Sequence, residues 1–274
     1  MLFLIPTPIG NLKDITLRAL EALKECDLIL CEDKRHSHIL LSHYNIDKPL
    51  KSWHKFNEAS SLQKVIEILK EGKKIALISD AGTPGICDPG ARLVAACREE
   101  GISVTALPGA CSPIVAFSLS GIEASRFQFV GFLPKKEREL EDTLRQLLSY
   151  QGLSLCFETP HRLLKTLRHL EKISPTSEIG VAKELTKKFE TYLFGTPDAL
   201  IAKFPTPPKG EFVLLLQGNE TSANPSWELL TIEEHVLQLE ESLQLSRKEA
   251  IQMVARLRSV PKRRIYNTLV QNPL

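Results

Sequence analysis

The 274-residue sequence predicts an α/β protein of two α/β domains with a small helical tail. The N-terminal domain spans 1–120 with a parallel sheet, the C-terminal domain 121–220 with a mixed sheet, and the helical basic tail 221–274. Three observations predict this. Short apolar runs alternate with helix-period stretches through the first 125 residues, the pattern of a sheet covered on both faces. After Arg126 the alternation starts afresh. Beyond residue 228 charge segregates, acidic first and then basic.

Leu2–Ile5, Leu28–Cys31, Ile75–Ile78 and Val104–Leu107 read as buried strands, with a weaker one near Leu50–Trp53. Leu17, Leu20 and Leu23 mark a helix before the second strand. Leu62, Val65, Ile66 and Leu69 recur at helical spacing, and Gly72 sits where a C-terminal glycine stop belongs. In the second domain Phe127–Phe132, Leu153–Phe157 and Phe212–Leu216 read as strands. Lys135–Gln151 and Arg162–Ile173 read as amphipathic helices. Ile179–Ala182 and Glu190–Phe194 lie too close together for a helical crossover, which makes this sheet mixed. Pro205, Pro207 and Pro208 punctuate the loop before the last strand, and 219–227 is a polar linker. In the tail, Ser246 and Glu249 form a capping box before an apolar face of Ala250, Val254 and Leu257. Pro261 opens a second helix carrying Ile265, Tyr266, Leu269 and Val270, and the pair resembles a helix-turn-helix.

The apolar fraction of 43% and charged fraction of 25% are those of a soluble globular protein. A net charge of +2 does not by itself demand nucleic acid, although residues 246–274 carry seven basic side chains against one acidic. No apolar run reaches the ~18–20 residues that span a bilayer. The start, M-L-F-L-I-P-T-P, lacks a basic leader region. The expectation is a cytoplasmic protein with no membrane partner. Six cysteines without a C-x-x-C pair read as reduced thiols, with no metal site expected.

Four polar, turn-rich loops leave the carboxyl ends of strands in the first domain, at 6–11, 32–36, 79–90 and 108–113. Ligands gather at that edge of a parallel sheet. Loop 79–90, S-D-A-G-T-P-G-I-C-D-P-G, has three glycines, two aspartates and no lysine or arginine. A phosphate cradle usually adds a lysine, and Asp80 and Asp88 would repel a polyphosphate. The loop suits a cation that also offers hydroxyls and an ammonium, and S-adenosylmethionine is such a ligand. Asp80 reads as the ligand group. Asp88 before Pro89 reads as a helix N-cap with proline in the first turn.

P-T-P-I-G-N (6–11), E-D-K-R-H (32–36), the 79–90 loop, F-E-T-P-H-R (157–162), K-E-L-T-K (183–187) and G-E-F-V (210–213) occur in this order. Together they resemble the tetrapyrrole methylase superfamily, and within it the small-subunit ribosomal RNA methyltransferase group, across nearly the whole chain. The resemblance implies two α/β domains with the cofactor in the cleft between them, S-adenosylmethionine as cofactor, and a homodimer. It implies 2′-O-methylation of a cytidine ribose in the decoding region of small-subunit ribosomal RNA, naked or in the assembled 30S subunit. Departures are Lys34 for the usual Thr, Cys87 for Ser, Lys183 for Arg, and Ser112 displaced by one in P-G-A-C-S-P.

Asp80 is assigned to cofactor hydroxyls or amino group, with Ala81, Gly82, Thr83 and Ile86 beside it at backbone level. The resemblance adds Pro8, Ser112, Phe157, Ala182, Gly210 and Glu211 as walls of the same cleft. A ribose hydroxyl is weakly acidic, so a base or cation should assist it. Glu32, His36, Lys183 and Asn11 are the catalytic candidates, chosen over Asp33, Glu158 and Glu184. The usual arginine counterpart of Lys183 cannot act as a base, which makes Lys183 a phosphate or alkoxide contact and Glu32 or His36 the base. The plainer readings are a dipole-favoured helix start for 32–36 and a turn for Asn11. RNA contacts are assigned to Arg35, Arg162 and Lys187, and to Arg247, Lys248, Lys262, Arg263 and Arg264 in the tail. His38, Lys55 and His161 lie near the same loops. The competing readings are carbon methylation of a tetrapyrrole and a ribosome-assembly module without catalysis.

Overall fold

A computed structural model describes residues 1–204, 208–218, 230–243, 245–258 and 260–271. Pro205, Pro207 and the linker read at 219–227 lie outside these residues, as do the side chains of 242, 243, 270 and 271, Val270 among them. The chain divides into two compact units, Met1–Gly218 and Asn219–Leu274.

The first unit holds both sheets. Strands β1 (Leu2–Ile5), β2 (Leu28–Cys31), β3 (Leu50–Ser52), β4 (Ile75–Ile78) and β5 (Val104–Ala106) form an all-parallel sheet ordered β3-β2-β4-β1-β5. The runs are apolar at every position because both faces are covered. Ile5, Ile29, Cys31, Ala76 and Ile78 point to one face and pack on Ala19, Leu23 and Leu41 from α1 (Leu17–Glu25) and α2 (Lys34–His43). Leu2, Leu30, Ile75 and Leu77 point to the other, against Val65, Ile66, Leu69 and Leu93 from α3 (Glu58–Lys70) and α4 (Ala91–Glu99). Each such buried Leu or Ile contributes ~1.5–3 kcal/mol over an exposed one. The Thr16 side chain accepts the Ala19 N–H at 3.1 Å to start α1, and Gly72, at φ +85°, follows the last turn of α3 as the spacing predicts. The chain leaves β1 toward one face and β4 toward the other, and these strands are neighbours. That divergence opens a crevice at their carboxyl ends.

The second sheet comprises β6 (Phe127–Phe132), β7 (Leu153–Glu158), β8 (Ile179–Lys183), β9 (Thr191–Gly195) and β10 (Phe212–Gln217), ordered β6-β7-β10-β8-β9. Only β6–β7 is parallel, so the sheet is mixed as expected, and β8–β9 is the antiparallel pair that their short separation requires. One face carries α6 (Glu137–Ser149), α7 (Pro160–Ile173) and α8 (Pro197–Lys203). The other face packs on α5 (Ser112–Ser120) and on Ile9 from the loop after β1. Neither α5 nor α8 follows from sequence periodicity. The α5 residues are apolar all round, and α8 has only seven residues.

Among its described residues the second unit contains α9 (Ile232–Leu243), α10 (Arg247–Leu257) and α11 (Lys262–Gln271), three helices where the sequence predicted two. They share a core of Val236, Ala250, Ile251, Val254, Ala255, Ile265 and Leu269. The capping box is present, with the Glu249 carboxylate accepting the Ser246 N–H at 3.0 Å. Arg247, Lys248, Lys262, Arg263 and Arg264 are all exposed. Among the described residues no helix is long and apolar enough to cross a membrane.

Candidate functional site

The loops after β1 and β4 are zipped together. Thr7 and Gly82 exchange both backbone hydrogen bonds, at 2.9 and 3.0 Å. The Thr7 hydroxyl donates to the Ser79 carbonyl at 3.0 Å, and the Ser79 hydroxyl to the Gly82 carbonyl at 2.7 Å. Gly82 sits at φ +83°, a conformation that glycine adopts without strain. The result is a pinned turn with Asp80 on it. One Asp80 oxygen accepts the Asp33 N–H at 3.1 Å, which ties the loop after β2 to the same point. The Thr83 hydroxyl donates to the Ala110 carbonyl at 3.0 Å and ties in the loop after β5. Four loops thus converge on one place.

A cavity of about 370 Å³ opens there, between the two sheets. Nine of the eleven residues assigned to the cofactor line it: Asp80, Ala81, Gly82, Thr83, Ile86, Ser112, Phe157, Gly210 and Glu211. Pro8 faces a second cavity of about 340 Å³, and Ala182 is fully buried in the core beneath α5. The first cavity's remaining walls are largely apolar, with Ile9, Phe132 and Leu185 prominent. Phe157 is held by edge and tilted contacts to Phe129 and Phe132, with ring centroids 5.0 and 5.2 Å apart.

The cavity's charge is one-sided. Among the described residues its walls include the carboxylates of Asp80, Asp88, Glu158 and Glu211, and no lysine, arginine or histidine. Two of the four are neutralised locally. Glu158 is buried, accepts from Thr159 N–H and the Thr166 hydroxyl at 2.7 Å each, and lies 3.5 Å from Arg162. Glu211 pairs with Lys187 at 2.6 Å. Asp80 and Asp88 have no cationic partner among the described ion pairs. Burial, with the charges of Glu32 and Asp80, pushes the Asp88 carboxyl up to about 6.

Asp88 therefore corrects the sequence reading. It caps nothing: α4 begins at Ala91, and its N-cap is Gly90 at φ +143°. Gly90 donates its N–H to the buried Glu58 carboxylate at 3.1 Å, so that loop end is held from α3. The Asp-Pro pair matched a cap locally, but the tertiary tie at Gly90 delays the helix start.

The second cavity shares Ile9, Asp80, Ala81 and Glu211 with the first, and adds His36 and Lys187. Of the four catalytic candidates, His36 lines it from the first turn of α2. Glu32 is close enough for its charge to act on Asp88. Lys183 ends β8, where its charge acts on Glu184. Asn11 is exposed and caps a short 3-10 turn, its Oδ1 accepting the Lys13 N–H at 3.1 Å, which is the plainer reading made of it.

Among the RNA candidates, Arg162 is reassigned. Its guanidinium donates to the carbonyls of Leu133 and Pro134 at 3.1 and 2.6 Å and faces Glu158, so it braces α7 against the end of β6. Arg35 is exposed and pairs with Asp33 at 3.0 Å. Lys187 is bound into the loop after β8. That loop holds Glu184 at φ +52° and Thr186 at φ +63°, the latter costly for a β-branched residue. Lys187 bonds both Glu184 and Glu211, and Glu211 N–H donates to Glu184 at 3.0 Å. Burial would raise the Glu184 carboxyl, but Glu211 N–H and Lys187 outweigh it and hold it low. Gly10 approaches this loop so closely that a Cβ would lie 2.5 Å from Lys187 Cγ.

Raised Asp88 fixes a sign. Between about pH 4 and 6 the folded chain keeps a proton that the unfolded chain releases, so Asp88 lowers stability as pH rises through that window. Asp88→Asn is expected to raise stability at pH 7 by about 1 kcal/mol, solvent screening reducing the ~3 kcal/mol of a fully buried charge. The gain should vanish near about pH 4. Thermal melts across this range check it, and equal melting temperatures at pH 7 would refute it.

The chain matches the family model for Tetrapyrrole (Corrin/Porphyrin) Methylases over residues 1–201. It is 42% identical over 272 residues to ribosomal RNA small subunit methyltransferase I of Bacillus subtilis, covering 97% of this chain and 93% of that one. The protein of the same name from Synechocystis is 41% identical over 268 residues, covering 97% and 96%. Among solved structures it resembles a uroporphyrin-III-C-methyltransferase from Thermus thermophilus at TM-score 0.55 and 19% identity, over 84% of this chain and 98% of that one. It also resembles a cobalt precorrin-4 methyltransferase at TM-score 0.57 and 17% identity, over 82% and 96%. These structural likenesses speak for the fold. The match to the family model over residues 1–201 and the 41–42% identities over nearly the whole chain lead to one conclusion: the chain belongs to the tetrapyrrole methylase family.

Proposed function

We propose that this chain transfers a methyl group from S-adenosylmethionine to the 2′-hydroxyl of a cytidine ribose in the decoding region of small-subunit ribosomal RNA. The observation that carries the cofactor is the cavity's charge: among the described residues that line it there are four carboxylates and no basic side chain, with Asp80 and Asp88 left to face a cation. The relatives' names support the RNA. Bound there, S-adenosylmethionine supplies a methyl made electrophilic by its sulfonium. Asp80 and Asp88 hold hydroxyl and amino groups, because a carboxylate on the sulfur would lose its partner as the charge disappears in the transition state. Gly82, Thr83 and Ile86 offer backbone contacts, and Ile9, Phe132 and Phe157 exclude water.

The second cavity takes the target ribose, with His36, Asp80 and the ion-paired Lys187 and Glu211 on its walls. His36 or Glu32 accepts the hydroxyl proton, help worth ~10² to 10⁴ in rate. Lys183 contacts phosphate or alkoxide, and Asn11 orients the ribose through its turn. A tetrapyrrole is served less well, since His36, Lys187 and Glu211 favour a polar substrate over an apolar macrocycle. The setting is cytoplasmic.

The test uses labelled S-adenosylmethionine with purified small ribosomal subunits and with naked ribosomal RNA, followed by mapping of the modified nucleotide. Expected is one 2′-O-methylcytidine. Transfer to a uroporphyrinogen-type macrocycle but not to RNA would overturn the proposal, and subunit binding without transfer would favour an assembly module.

Arg35 and Lys187 on the loops, with Arg247, Lys248, Lys262, Arg263 and Arg264 in the tail, add an electrostatic hold on RNA. Ending the chain at Gly218 is expected to weaken RNA binding and flatten its salt dependence, and an unchanged slope removes the tail from the interface. The chain also pairs as a homodimer through the exposed Ile114 and Leu119 of α5 and Phe127 and Val130 of edge strand β6. Sedimentation velocity should give twice the 30.7 kDa chain mass, falling to one chain in Ile114→Glu.

A further inference from the structure

Two phenylalanines stand in solvent on loops that lead into the site. Phe56 is 96% exposed and Phe189 69%. A single exposed ring is ordinary. These two are held on pinned turns, each with a lysine before it in sequence.

Phe56 follows β3. The buried Trp53 anchors that turn, Asn57 Oδ1 accepts the His54 N–H at 2.8 Å, and Asn57 Nδ2 donates to the Ser52 carbonyl at 2.9 Å. The His54 ring meets Phe56 edge-on, with centroids 6.1 Å apart. Lys55 is near enough for its charge to act on Asp88 and Cys87, both on the first cavity's wall. Phe189 lies between β8 and β9. Its carbonyl accepts the Thr191 hydroxyl at 3.2 Å, and Glu190 N–H donates to the Lys187 carbonyl at 3.0 Å. Lys188 Nζ lies 5.7 Å from the Phe189 ring centroid, and Lys187 lines the second cavity.

An exposed aromatic ring on a pinned turn beside a cation is what single-stranded nucleic acid binds: the base stacks on the ring and the phosphate meets the charge. Ile114 and Leu119, by contrast, belong to a helix with no charged residue. We infer that Phe56 and Phe189 are stacking platforms for unpaired RNA bases flanking the target nucleotide, with Lys55 and Lys188 on the adjacent phosphates. This rests on the ribosomal RNA reading above.

The probes are small ribosomal subunits and a labelled single-stranded RNA oligonucleotide, with the full-length chain. Phe56→Ala and Phe189→Ala are each expected to raise KM for subunits about tenfold and weaken oligonucleotide binding similarly. S-adenosylmethionine affinity, by calorimetry, should hold. Phe56→Trp and Phe189→Trp, which keep a flat ring, should restore RNA binding. Wild-type KM and oligonucleotide affinity in both alanine variants would overturn the inference. So would a changed sedimentation mass, which would give the rings to a protein interface. If the wild-type chain methylates no subunits, the functional reading fails instead, and oligonucleotide binding still decides the platforms.

Discussion

The backbone bridge between Thr7 and Gly82 is the interaction on which the site depends. β1 and β4 lie side by side at the centre of their sheet, and the chain leaves them toward opposite faces. Their loops would otherwise diverge over the crevice. The bridge joins them, the Ser79 and Thr7 hydroxyls tighten the turn, and Asp80 is presented from it. The loop after β1 then continues into the second half. Ile9 packs on the second sheet beneath α5, and Asn11 N–H donates to Thr186 at 3.1 Å. One hydrogen-bonded bridge thus fixes the turn that carries Asp80 and the junction between the sheets.

Electrostatics explains what such a site can hold. Glu158 and Glu211 are structural charges, satisfied by Arg162 and Lys187. Asp80 and Asp88 are left without a cationic partner among the described ion pairs, and Asp88 is raised chiefly by its burial, with the charges of Glu32 and Asp80 adding to it. A cation held beside these carboxylates would offset the repulsion among them, so stability given up there would return as affinity. A polyphosphate would add to it.

The loop after β8 stores strain beside this charge. Glu184 and Thr186 both take positive φ. The Lys187 ion pairs and the Gly10 approach hold the loop in place, and the same contacts aim Lys187 at the second cavity. Strain held by surrounding contacts is a common property of residues that must be pre-positioned.

Much of the fold was legible in the sequence. Buried parallel strands show as uniform apolar runs, and α6 and α7 carry their leucines at helical spacing. The helices α5 and α8 were not, because one has no polar face and the other is too short for a period to show. The loop's missing lysine spoke against a polyphosphate, and most assigned wall residues do meet in one cavity. Yet Asp88 reads as a helix cap, and Arg162 as an RNA contact, in any local window. Only tertiary structure moved them. Glu58 reaches across from α3 to hold Gly90, leaving Asp88 facing Asp80, and the ends of β6 and β7 close on the Arg162 guanidinium. By itself the sequence determined the periodicities and the sign of the site's charge, since both are properties of neighbours along the chain. The partners of each charge were decided by folding, because those partners are distant in sequence.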